Sequence, residues 1–214
     1  MKKNLTELVF ILDRSGSMSG LESDVIGGFN AMIDKQKRTP GEAYVSTVLF
    51  SSQHTVLHDR VDVHSVQPMT ADDFTVGGCT ALLDAIGSAI HHIGTVHKYA
   101  RAEDVPEKTL FVITTDGMEN ASRRYTADEV RAKIERQKQK YGWEFLFLGA
   151  NIDAVETASR IGISHDRAAT CVNDSEGLQA SYEAISDAVA SMRCAPQMAQ
   201  NWQDSILRDR QRRG

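Results

Sequence analysis

The chain has 214 residues, 41% of them hydrophobic and 25% charged, which is the balance of an ordinary globular protein and excludes disordered and fibrous classes. That length supports one domain with a sizeable core. A formal net charge of -5 leaves no overall electrostatic footprint for nucleic acid, and the basic concentration at the Arg-rich end is local.

In chain order, the first element is the apolar run Leu8-Val9-Phe10-Ile11-Leu12, which breaks off into Asp13-Arg14-Ser15-Gly16-Ser17. Such a run reads as a central parallel strand buried on both faces. After Met1-Lys2-Lys3-Asn4 it is too short for a signal-peptide core or a membrane span, so neither secretion nor a membrane partner is expected. Cys79, Cys171 and Cys194 then read as free thiols of a reducing compartment, the cytoplasm.

Leu21, Val25, Phe29, Met32 and Ile33 recur at helical spacing up to Lys35-Gln36-Lys37-Arg38, and Thr39-Pro40-Gly41 ends the helix. Residues 43–50 and 54–58 are β-rich runs joined by Ser51-Ser52-Gln53, a connection short enough to force an antiparallel pair with the second run at the edge. A polar connection over residues 59–79 leads to a strong helix from Ala81 to Tyr99. Residues 108–115 form another buried strand that ends, like the first, in an acid, Asp116-Gly117. A helix follows from about Thr126 to Tyr141, with Thr126 and Glu129 spaced as a capping box. Residues 144–149 are a strand, 153–161 a short helix, and 168–172 a short edge strand.

Leu178, Tyr182, Ile185, Val189 and Met192 mark a final helix opened by Asp174-Ser175 and stopped near Pro196. Strands alternating with helices predict an α/β fold with a doubly wound, mainly parallel six-stranded sheet, one antiparallel edge strand and helices on both faces. The domain is expected over residues 1–195, with an Arg-rich extension over 196–214. There Met198, Trp202 and Ile206 step by four ahead of Arg208, Arg210, Arg212 and Arg213, as a short helix that packs back or a frayed tail.

Three polar clusters fall where such a sheet gathers its carboxyl-end loops: Asp13/Ser15/Ser17, Gly77-Gly78-Cys79-Thr80 and Asp116-Gly117. Together they offer two carboxylates and three hydroxyls. These are hard oxygen donors suited to Mg²⁺ or Mn²⁺ rather than Zn²⁺, with room for water and one exchangeable position. The plainer alternatives are local ones. Asp13 and Ser17 are also good turn and helix-cap residues, and Asp116-Gly117 alone is a common turn. Cys79 reads as a small buried side chain, and His91, His92 and His97 do not share a helix face as zinc ligands would. Asp84, Glu119 and Asn120 either support the ligands or are solvated polar positions.

The Asp13-x-Ser15-x-Ser17 signature, with Thr80 and with Asp116-Gly117 after a hydrophobic strand, resembles the metal-ion-dependent adhesion site of von Willebrand factor type A domains. The flanking residues are similar to stand-alone bacterial and phage members. The resemblance implies a sheet ordered 3-2-1-4-5-6. It also implies Ser15, Ser17 and Thr80 on the ion directly or through water, Asp13 and Asp116 acting often through bridging waters, and an open position for an Asp or Glu carboxylate of a protein partner. The function it implies is a non-enzymatic interaction module or an adaptor beside an ATPase or kinase encoded elsewhere. The rival reading is a Mg²⁺-dependent phosphohydrolase of haloacid dehalogenase-like type. That chemistry wants an acid two residues after the nucleophile, where this chain has Ser15. Nucleotide-binding glycine motifs are missing after the first strand.

Overall fold

The apolar run at Leu8–Leu12 lies inside a longer strand, β1 (Lys2–Asp13), buried from Leu5 to its end in a computed structural model that describes residues 1–195, 199 and 201–213. Successive side chains of β1 serve opposite faces. Leu8, Phe10 and Leu12 enter one hydrophobic cluster, and Val9 and Ile11 enter the other. Burial on both faces is why the sequence shows a continuous run here rather than alternation.

The remaining elements are α1 (Glu22–Arg38), β2 (Glu42–Phe50), β3 (His54–Asp62), α2 (Leu82–Tyr99), β4 (Pro106–Thr115), α3 (Ala127–Tyr141), β5 (Glu144–Ala150), α4 (Ala154–Arg160), β6 (Ala168–Cys171), α5 (Ser175–Cys194) and α6 (Asp204–Arg213). They build a six-stranded sheet ordered β3-β2-β1-β4-β5-β6. All neighbours pair in parallel except β2 and β3, which are antiparallel with β3 at the edge. The α/β, doubly wound sheet expected from the alternation of elements is therefore the one observed. Helices α1 and α5 cover one face; α2, α3 and α4 cover the other.

The capping residues explain where several helices begin. Thr126 and Glu129 form the reciprocal capping box ahead of α3, and Gly142 closes that helix in the left-handed conformation. Asp153 accepts from the Glu156 N–H, and Asp174 from the Gly177 N–H.

One strand boundary differs from the sequence reading. β3 runs on to Asp62 and ends in a 3-10 turn at Val63–Ser65, where a polar connection from residue 59 was expected. Its signal is diluted because it is an exposed edge strand carrying Asp59, Arg60 and Asp62, with irregular register against β2 between Val45 and Val48. The Arg-rich segment is helical: α6 packs on α5 and β6 with Ile206 buried, and Trp202 in the turn before it joins the same core cluster. The Trp202 indole N–H donates to the Asp166 carbonyl at 2.8 Å, and the Arg213 guanidinium donates to both Asp174 oxygens at 2.8 and 2.7 Å. Pro196 and Met198, the stop and first apolar position read for this segment, lie outside the described residues. Among those residues no helix is long and apolar enough to cross a membrane.

Helix α1 meets α5 where Gly28 faces the Tyr182 ring, and a Cβ there would lie 2.4 Å from a ring carbon. Tyr182 is buried, 6% exposed, and belongs to the core cluster on this face. Gly28→Val should therefore destabilise the fold by about 1–3 kcal/mol through overpacking, read as a lowered urea midpoint. An unchanged midpoint would contradict this tight α1–α5 contact.

Candidate metal centre

The parallel pairing of β1 with β4, Leu12 beside Thr114, brings the ends of both strands together. Asp13 and Thr115 thus become neighbours although 102 positions apart: the Thr115 hydroxyl donates to Asp13 Oδ2 at 2.6 Å. The other Asp13 oxygen accepts the Ser15 N–H at 2.7 Å, which curls the loop after β1 back over the strand end. Asp13 is only 2% exposed. A buried carboxylate is tolerated because both its oxygens receive donors.

Three loops are then sewn together by their backbones. The Gly16 N–H donates to the Gly78 carbonyl at 3.1 Å and the Gly77 N–H to the Arg14 carbonyl at 2.9 Å, so the loop after β1 and the one before α2 run side by side. Gly78, at φ 82°, allows the close passage, and a Cβ there would lie 2.7 Å from Ser52 Oγ. The Asn120 N–H reaches the Thr80 carbonyl at 3.0 Å, while Asn120 Oδ1 accepts the Thr80 N–H at 2.9 Å.

The side chains converge accordingly. Ser15 and Ser17 hydroxyls are 3.1 Å apart, and Ser17 donates to Asp116 Oδ1 at 2.6 Å. A Cβ placed on Gly117 would lie 3.0 Å from Thr80 Oγ1 and 3.4 Å from Ser17 Oγ, so these two hydroxyls border one spot beside Asp116. Burial pushes the Asp116 carboxyl above its ordinary range; the Ser17 hydrogen bond opposes that shift and the nearby Asp13 charge adds to it. Two carboxylates buried together among hydroxyls form a site that a cation stabilises. All five sequence-selected residues therefore lie in one region, Asp13, Ser15, Thr80 and Asp116 buried and Ser17 exposed. The donor set, entirely oxygen, fits a hard dication such as Mg²⁺ or Mn²⁺. Among the described residues no group of three or more His, Cys, Asp or Glu side chains is placed to hold a metal. The donor count here depends on the hydroxyls.

Several supporting roles become visible. Asp84 accepts the N–H groups of Arg123, Arg124 and Tyr125, each at 2.9 Å. Burial works against its charge, but these donors outweigh it and hold the carboxyl below its usual range. Glu119 accepts from the N–H of Leu83 at 2.9 Å, Ala121 at 2.9 Å and Ser122 at 2.7 Å, tying the loop after β4 to the start of α2. These residues and Asn120 position the Thr80 loop.

Ser17 does not cap α1, which begins after Leu21 with no side-chain cap, whereas Asp13 does make a turn by accepting the Ser15 N–H. Cys79, expected to be buried, is exposed, because Gly78 turns the loop and the Cys79 N–H anchors on Ser52 Oγ at 2.8 Å, leaving Thr80 to point inward. His92 and His97 go to separate carboxylates, Asp59 and Glu7. The sequence reading missed Asn173, whose amide donates to Asp116 Oδ2 at 3.4 Å from the loop after β6. Only the sheet order reveals it, since nothing near Asn173 in the chain marks it.

No protein-family model matches the sequence, and no curated protein does. Solved structures do match. The proximal thread matrix protein 1 of mussel byssus, with a zinc-occupied MIDAS motif, is 14% identical at TM-score 0.58 over 86% of this chain and 46% of its own. A von Willebrand factor type A structure from Catenulispora acidiphila is 14% identical at TM-score 0.58, covering 87% of this chain and 42% of its own. The vWF domain of the Porphyromonas gingivalis pilus tip protein Mfa5 is 11% identical at TM-score 0.62, covering 91% and 98%. The chain thus has the von Willebrand factor type A fold. It spans less than half the length of the first two of these structures and nearly all of the Mfa5 domain.

Glu119→Ala removes the acceptor shared by three backbone N–H groups and should cost about 2 kcal/mol of stability, measured by chemical denaturation. A loss of under a few tenths of that would mean the loops hold without it.

Proposed function

We propose that this chain is a metal-ion-dependent protein-binding module. A single Mg²⁺ or Mn²⁺ is held by Asp13, Ser15, Ser17, Thr80 and Asp116, and a partner's Asp or Glu carboxylate completes its shell. The observation that carries this reading is the convergence of Ser17 and Thr80 hydroxyls on one spot beside Asp116, from three separate loops. The zinc-occupied MIDAS motif of the mussel protein supports a divalent ion at the corresponding rim of the fold. When bound, the ion supplies a partly neutralised charge that attracts one more carboxylate. This chain's own residues do the rest. Asp13 carries its charge behind the hydroxyls, with both oxygens already engaged, which suits contact through water. Ser17, exposed at the rim, and Met118, 72% exposed two residues after Asp116, border the face a partner would cover.

The setting of Asp13 supports binding over catalysis. It is 2% exposed and both oxygens accept hydrogen bonds, so it is not presented as a nucleophile. We place the module in the cytoplasm, as an interaction or adaptor protein whose partner is an acidic segment of another protein, such as an ATPase or kinase encoded elsewhere. The free thiols at Cys79, Cys171 and Cys194 accord with a reducing compartment.

Calorimetric titration of metal-free protein with Mg²⁺ and Mn²⁺ should give one saturable site. Asp13→Ala should abolish it with the far-UV circular dichroism unchanged, and Thr80→Ala should weaken it about tenfold, the loss of one charge-assisted contact. Acetate should bind only to the metal-loaded parent. Variants that take up metal as the parent does would overturn the ligand assignment.

A further inference from the structure

The end of the sheet opposite the metal rim carries a second concavity. Between the C-terminal halves of α2 and α3, at the level where β4 begins, a cleft of about 660 Å³ opens over Trp143, Pro106 and Ile90. That is the volume of a small-molecule site. Its charged walls are of one sign: Lys98 from α2 and Lys133, Arg136 and Lys140 from α3, with His91 and His97 beside them and no acidic side chain in the lining. Among the described residues none of these four cations forms a salt bridge, in a chain whose net charge is -5.

Lys98 and Lys140 also complement the negative ends of their helices, which accounts for cations there without a ligand. Lys133 lies over the Tyr125 ring, 5.2 Å from its centre, but Arg136 stands beyond the turn where the helix-end effect operates, so helix ends do not account for it. One lining group also lacks a partner of its own. The Gln137 side-chain oxygen is sealed from solvent and accepts no hydrogen bond among the described residues. It meets an N–H or O–H donor on a ligand once the half-buried side chain turns toward the cleft.

We propose that this cleft binds a nucleotide-sized organic phosphate. Its phosphates lie among Lys98, Arg136 and Lys140, and its ring body covers the apolar floor at Trp143 with a donor toward Gln137. Several cations around one small volume suit a multiply charged anion better than a single carboxylate. The floor is apolar, formed by Trp143, Ile90 and Pro106. A compact ligand is favoured over a long polyanion, because a strand leaving the cleft would run over a protein of opposite tendency, negative overall.

The test is tryptophan fluorescence in Trp202→Phe protein, which leaves Trp143 as the only indole. ADP and inorganic pyrophosphate are titrated with EDTA present, so that the metal rim takes no part. ADP should bind saturably and about tenfold more tightly than pyrophosphate, since only ADP reaches the floor. Arg136→Gln with Lys140→Gln should raise the ADP Kd by about a hundredfold, one charged contact each, with circular dichroism unchanged. Asp13→Ala should leave it unaltered. No saturable change, equal binding of ADP and pyrophosphate, parent-like binding by the double variant, or tighter binding of an acidic peptide or single-stranded oligonucleotide would each overturn the assignment.

Discussion

The hydrogen bond from Thr115 to Asp13, 2.6 Å long and spanning 102 positions of chain, is where sheet pairing becomes chemistry. It exists because β1 and β4 are parallel neighbours in register, and parallel neighbours finish at the same edge of the sheet. The carboxylate it serves is almost wholly buried, so it depends on two donors, the local Ser15 N–H and a hydroxyl that only this register delivers. From Asp13 the order spreads outward. Its second oxygen fixes the Ser15 turn, that turn aligns Gly16 with Gly78, and the Gly78 loop presents Thr80 to Ser17 and Asp116.

Buried charge is compensated differently further along the same strand. Glu7, fully buried in β1, receives the Arg60 guanidinium at 2.9 Å and the His97 ring at 3.2 Å. Arg60 in turn lies over the Tyr44 ring, 4.8 Å from its centre. At Glu7 the Arg60 guanidinium faces the carboxylate directly, and both partners meet the same oxygen, Oε2, inside the protein. At the rim Asp13 and Asp116 have hydroxyl and amide donors, which stabilise a carboxylate without cancelling its charge. That difference separates a structural carboxylate from a pair suited to a dication. The basic cleft between α2 and α3 lies at the opposite end of the sheet, so the two concave regions differ in charge and in the ligands they suit.

Much of this was legible because parallel strands buried on both faces leave continuous apolar runs. Leu8–Leu12 and Leu110–Ile113 announced themselves in this way, and the acids that follow them marked the rim. Thr126 and Glu129 were readable because a capping box is local. What escaped was set by tertiary contact. β3 hid its length in an exposed, irregular edge. Cys79 faces outward because of a hydrogen bond to Ser52, a residue 27 positions away. Asn173 reaches Asp116 only because β6 closes the sheet beyond β5. The support that Glu119 and Asp84 give to six backbone N–H groups was undecidable in the chain, since a carboxylate that gathers backbone N–H groups looks in sequence like any solvated acid.

The account stands or falls on where a divalent ion sits. Crystals of the metal-free protein soaked in Mn²⁺ and measured for anomalous scattering test it directly. The prediction is one strong peak bounded by the hydroxyls of Ser15, Ser17 and Thr80, with Asp13 and Asp116 beside it, at oxygen distances of about 2.1 Å for an ion of this size. A peak at any other place on the molecule, or none at concentrations that saturate solution binding, would contradict it.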